Sequence, residues 1–191
     1  MKLHQLNANY QPEQDRILVR MNTTSDEELR LWLTRRFCLK LWPNLKKMVT
    51  ERVTRITSNT NPSRIAAATA NPATRQALAD FHREEAVKQA DFKTPFRNEP
   101  KQFPLGNEPL LVTEVGLASL SNGSLQIDWR EKLSGVPTPR SFQITLEDTN
   151  LQGFLHLLDQ ALERSGWFAE TEKSSEADKM VMAEEKPRYL N

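Results

Sequence analysis

The chain has 191 residues, of which 38% are apolar, and a formal net charge of +1. That is enough to bury a core in one domain or two small ones. No run approaches the about 18 apolar residues of a spanning helix, so no membrane segment is expected. A single cysteine, Cys38, rules out an internal disulfide, and the first residues hold no apolar leader run. Together these point to a reducing, cytoplasmic setting.

Lys2–Tyr10 is read as a first strand. Asp15–Asn22 follows, with Ile17, Val19 and Met21 on one side and Arg16, Leu18, Arg20 and Asn22 on the other. Glu28–Leu33 alternates in the same way, so the two form an antiparallel hairpin across the polar stretch Thr23–Glu27. Thr34 is placed to cap a helix over Phe37–Val53. Cys38, Leu41, Trp42, Leu45, Met48, Val49, Arg52 and Val53 follow helical spacing and give that helix one mainly apolar stripe; Pro43 predicts a kink in it, the alternative being a short first turn and a main helix that starts at Pro43.

Residues 57–71 have the composition of a linker. Pro72–Phe92 reads as a helix capped by Asn71, with a thin apolar stripe. Lys93–Pro109 holds four prolines with Phe96 and Phe103 between them. It predicts extended, irregular chain pinned by its two aromatics.

Leu110–Leu120 is expected as one strand. Asn122-Gly123 makes a tight turn into Ser124–Arg130, and Ser141–Leu146 is the next strand. Thr149 with Gln152 fits a capping box for a helix over Thr149–Ser165, ended by Gly166. The tail from 169 to 191 is charged and small, and is expected to be disordered.

Three strands and a helix thus occur twice. The pattern predicts an α+β fold of two antiparallel β-β-β-α units, an internal duplication, joined by a helical, Pro-rich connector. The boundaries are 1–57 for the first unit, 58–109 for the connector, 110–168 for the second unit and 169–191 for the tail. Charge distinguishes the units. Residues 1–57 carry 11 Lys and Arg against 6 Asp and Glu, whereas residues 111–168 carry 4 against 7.

Nothing in the motifs points to catalysis. His4, His82 and His156 lie in separate regions and none is at metal-ligand spacing from another or from Cys38. Cys38 falls on the apolar helix stripe, which suits a structural thiol. There is no Gly-rich phosphate loop and no nucleophile elbow. Asp26, Glu27 and Glu28, and likewise Glu147 and Asp148, read as turn and helix-start residues. No catalytic residue, cofactor or metal is expected.

The candidate site is a basic–aromatic sheet face. Arg16, Arg20, Arg30 and Trp32 share the side opposite the apolar residues of their hairpin, with Arg35 and Arg36 just beyond. Arginines around an indole can neutralise phosphates and stack a base. The same face can equally be solvated sheet, lie under the second helix or the second unit, or meet a protein. Two β-rich units each closed by a helix resemble, in outline alone, single-stranded nucleic-acid-binding folds built from duplicated sheet-plus-helix units. The expected function is therefore a non-enzymatic adaptor acting through contacts with a protein partner. The alternative is a single-stranded nucleic-acid-binding protein, and an enzyme of unknown class comes third.

Overall fold

The computed structural model describes residues 3–60, 71–92, 94–98 and 102–169. Most of the expected tail and residues 61–70 of the expected linker lie outside them. The fold is mixed α+β, with one sheet of four strands and one of three.

The first sheet begins with β1 (Leu3–Gln11), β2 (Arg16–Thr23) and β3 (Glu28–Thr34), which form an antiparallel meander. Alternation drives it. Ile17, Val19, Met21, Leu29, Leu31 and Leu33 are buried on one face, and the intervening residues of the hairpin face outward. Thr34 then caps α1 (Arg35–Thr60): its Oγ1 accepts the Phe37 N–H at 3.3 Å. The helix runs unbroken through Pro43. Its stripe of Cys38, Leu41, Trp42, Leu45, Val49 and Val53 is buried, which offsets the hydrogen bond that proline removes. Burial also pushes the Cys38 thiol up to about 12, so it stays protonated and inert at neutral pH.

Helix α2 (Pro72–Gln89) starts where expected, with the Asn71 side chain accepting the Ala73 N–H at 2.9 Å. It lies across α1 and the last helix, and Ala79 is its one buried residue. The thin apolar stripe has that consequence.

The expected strand Leu110–Leu120 is instead two strands in two sheets. Residues β4 (Leu110–Leu111) pair in parallel with β3, through Leu31 with Leu110 and Trp32 with Leu111. Val112 N–H then donates to Trp32 O, and Thr113 N–H donates to Arg130 O in the other sheet. The chain passes from one sheet to the next within those two residues. The burial phase slips at the crossing: Leu110 and Val112 are buried, Thr113 and Glu114 are both exposed, and Val115 and Leu117 are the half-buried positions of β5, so one unbroken alternation does not run through 110–120.

The second sheet is the meander β5 (Glu114–Ser119), β6 (Leu125–Glu131) and β7 (Arg140–Leu146). Gly123 holds the β5–β6 turn at φ +83°, a conformation that Asn-Gly turns favour. Helix α3 (Asp148–Ser165) follows, and Gly166 closes it in the left-handed conformation at φ 68°. Its start differs from the expected capping box. The N-cap is Glu147, whose side chain makes no capping bond, and Thr149 lies inside the first turn. Gln152 is buried with neither end of its amide bonded among the described residues.

The repeated element order is not matched by repeated packing. Helix α1 rests against β3 of its own sheet, whereas α3 lies mainly along β1 of the opposite sheet and touches β7 less. Leu151, Phe154, Leu155, Leu158 and Leu162 are buried there. The rings of Phe154 and Trp129 meet edge to face at 6.3 Å, so the same helix also reaches the second sheet. Buried residues of both sheets and of α1 and α3 form one hydrophobic cluster.

Gly153 stands out on α3. A glycine inside a helix costs about 1 kcal/mol relative to alanine. No heavy atom lies within 4 Å of where its Cβ would stand, so no close packing requires a glycine there. Gly153→Ala should therefore raise stability by about 0.5–1 kcal/mol in chemical denaturation. A loss of stability would show that the space beside it closes in solution.

Candidate functional site

The outer face of the first sheet carries Arg16, Leu18, Arg20 and Asn22 from β2 and Glu28, Arg30, Trp32 and Thr34 from β3. The register sets Leu18 opposite Trp32 and Arg20 opposite Arg30. Asn9 adjoins Leu18 from β1, and Leu111 adjoins Trp32 from β4. Four of the six expected residues, Arg16, Arg20, Arg30 and Trp32, thus share one face. Arg35 and Arg36 do not: they form the first turn of α1, where Arg36 is exposed and Arg35 partly buried.

Two like charges directly opposite each other on adjacent strands repel. Glu28 resolves this. Its side chain is 1% exposed and lies between the two guanidiniums. Arg20 donates to both carboxylate oxygens, each at 2.8 Å, and Arg30 Nε stands 4.0 Å from Oε1. The sequence placed Glu28 among turn carboxylates, because its position at the strand start hides that it points between two arginines.

The connector completes the arrangement. Phe96 lies 4.5 Å under the Arg20 guanidinium, and Phe103 lies 4.1 Å under that of Arg30. Arg20 also donates to Asn98 Oδ1 at 2.8 Å, and Arg30 donates to the Asn107 carbonyl. Gln5 and Asn22 bind the backbone at Pro95 and Arg97. Gln102 pairs with the β3 start through Glu28 N–H, at 2.9 Å. The half of the face around Arg20 and Arg30 is therefore taken by the chain's own connector. The two pinning aromatics were legible in the sequence, but the surface that they pin against was not.

A second anchor holds the connector's far end. Arg140 donates to Glu131 and to the carbonyls of Leu105 and Glu108, and Glu131 also accepts the Leu111 N–H at 3.1 Å. Burial pushes the Glu131 carboxyl up. The Arg140 hydrogen bond, the Leu111 N–H and the Arg140 charge together outweigh it and hold the group below its usual range. A lowered carboxyl pKa contributes stability above the ordinary glutamate range. That contribution is lost as pH falls through the lowered value.

Among the described residues, the connector's contacts fall on the Arg20–Arg30 half of the face. Leu18, Trp32 and Leu111 form an apolar row across β2, β3 and β4, each partly exposed and none of them part of the core cluster. Arg16 and Thr34 border it.

Elsewhere, the described residues contain no group of three or more His, Cys, Asp or Glu placed to hold a metal. His82 reaches Asp148 at 3.5 Å, beside the buried Arg52, which reaches the same carboxylate at 3.2 Å. This cluster ties α1, α2 and α3 together. Among the described residues, no helix is long and apolar enough to cross a membrane.

The chain is thus a two-sheet α+β protein with a half-covered basic–aromatic face. Comparison with protein-family models, with curated proteins and with solved structures finds no match in any of the three.

Proposed function

We propose that the protein is a non-enzymatic adaptor that docks a protein partner on the row Leu18, Trp32 and Leu111. One observation carries this reading: Arg20 and Arg30 are occupied by Glu28 and the connector, which leaves an apolar row with Arg16 at its border. An aromatic flanked by aliphatic groups and an arginine suits a protein hot spot better than a phosphate track. The single, buried Cys38 supports a cytoplasmic setting. The recurrence of three strands and a helix supports reading the two units as copies of one ancestral unit, despite their different packing.

The test is a photo-crosslinking residue at position 18, with position 126 on the outer face of the second sheet as control. A discrete protein adduct is expected from position 18 alone, and Trp32→Ala should abolish it. Equal adducts from both positions, or none, would remove the reading.

Single-stranded nucleic acid is the second reading, and a different surface favours it. Lys46, Lys47 and Arg75 line a groove of about 600 Å³ between α1 and α2, where Glu51 is the one carboxylate among the described lining residues. Fluorescence anisotropy with labelled single-stranded DNA and RNA at about 50 mM salt separates the two, because phosphate contacts make binding salt-dependent. We expect no binding at micromolar protein. Salt-sensitive binding lost in Lys47→Glu but kept in Trp32→Ala would put nucleic acid on the helix groove instead.

A further inference from the structure

We propose that the groove between α1 and α2 is a second docking surface, and that its partner is an acidic protein segment with an aliphatic side chain between its carboxylates. The site is separate from the row Leu18, Trp32 and Leu111 and does not rest on it.

Charge sets the class of partner. From Arg35 to Ala79 the chain holds nine Lys and Arg and one acid, Glu51. Residues 61–70, outside the described residues, contribute Arg64 and no carboxylate to that count. Helix α1 carries Arg36, Lys40, Lys47 and Arg55 at exposed positions one or two turns apart. They form one ridge about 28 Å long, with Glu51 the one acid along it. Lys46 and Arg75 stand beside this ridge on the groove walls. Cations elsewhere on the surface have partners: Lys88 has Glu85, Arg130 has Asp128 and Lys132 has Glu114. The six cations of the ridge and groove make no ion pair among the described residues. Arg75 Nε is moreover buried and meets no acceptor. A buried donor without a partner is costly, and an incoming carboxylate would satisfy it with a charge-assisted bond.

The groove adds an apolar element. Its volume is about 600 Å³, and Pro43 and Pro72 line it beside the cations. Lysine stems are apolar below their charged heads, so Lys46 and Lys47 extend that lining. An aliphatic side chain has a seat there, flanked by groups that hold carboxylates.

Two other polyanions fit less well. A single nucleic-acid strand is held by stacking its bases on aromatic rings. Residues 43–80 contain no Phe, Tyr, Trp or His, and the nearest ring before them, Trp42, is 6% exposed beneath Lys46. A flat anionic membrane would meet the ridge but leave Arg75, half-buried in the groove, unreached.

The probe is a fluorescein-labelled peptide of repeating Glu-Glu-Leu, titrated with the full-length chain at low salt and followed by anisotropy. Saturable binding in the micromolar range is expected, weakening as salt screens the charges. Lys47→Glu and Arg75→Glu should each weaken it by at least about tenfold. Glu51→Lys should tighten it severalfold, and since Glu51 is exposed this variant decides the matter even if Arg75→Glu fails to fold. Trp32→Ala, and Lys88→Glu at the far end of α2, should leave the affinity unchanged. No saturable binding, an unchanged affinity in Glu51→Lys, a loss in Trp32→Ala, or a loss in Lys88→Glu as large as in Lys47→Glu would overturn the site. Equal binding of a Glu-Glu-Ser peptide would overturn the aliphatic anchor. Tighter binding of single-stranded DNA of matched length would overturn the class of partner.

Discussion

Trp167→Ala should destabilise the protein by about 3–5 kcal/mol, the usual loss for a large aromatic removed from a core. The indole is 1% exposed and meets Tyr10 edge to face at 5.6 Å. Its Nε1–H donates to Asp15 Oδ1 at 2.6 Å, and the same oxygen accepts the Tyr10 hydroxyl at 2.9 Å. The side chain therefore fastens the end of α3 to the β1–β2 turn, with Asp15 held at φ 47°. Trp167→Phe keeps most of the ring and loses the bond to Asp15, so it should cost less, with the hydrogen bond itself contributing about 0.5–1.5 kcal/mol. Urea denaturation of the two variants checks both figures. A loss under about 1 kcal/mol for Trp167→Ala would mean that this end of the helix is not docked.

Glu28→Ala is the second large effect expected, at about 3–5 kcal/mol, because it removes one partner of a buried charged pair and leaves the other uncompensated. Here the remaining group is a pair: Arg20 and Arg30 are register partners across β2 and β3. Without the carboxylate they face each other, and each loses the group that holds it over its phenylalanine. Glu28→Gln keeps the shape and part of the hydrogen bonding, so it should lie between alanine and wild type. Protease susceptibility around Arg97 should rise in step with the loss of stability, since the connector is held by these arginines. A stable Glu28→Ala with an unchanged cleavage pattern would show that the connector is fixed by Gln5, Asn22 and Gln102 without the charges.

The contrast between Leu31 and Trp167 shows which parts of the fold can be read from sequence. The β2–β3 hairpin is legible because its pattern is local: Ile17 to Leu33 alternate over a short stretch, and burial on one face dictates that period. Asn71 and Gly166 mark helix ends by their own conformational preferences. Trp167 gives no such signal, because its partner Asp15 is 152 positions away. Leu110 and Leu111 read as part of the following strand because apolar residues recur at Leu111, Val115 and Leu117, but the pairing with β3 and the slip in burial at Thr113–Glu114 separate them. Thr149 and Glu147 are both plausible helix starts, and boundaries shift by one or two residues for small energetic reasons.

The candidate site divides along the same line. That Arg16, Arg20, Arg30 and Trp32 share a face follows from strand geometry and was legible. That Phe96 and Phe103 stack on two of those arginines was not, since nothing near them in sequence sets where an irregular segment crosses a sheet.

The transfer of chain at Val112–Thr113 has a consequence for biosynthesis. As the polypeptide emerges from the ribosome, the first meander and α1 appear before β4, which covers that sheet's open edge, and before α3, which covers β1. Contacts this distant in sequence slow folding, because a long loop must close before they form. The nascent N-terminal half would present Leu31, Leu33 and the α1 stripe to solvent during that interval, the kind of surface that chaperones recognise.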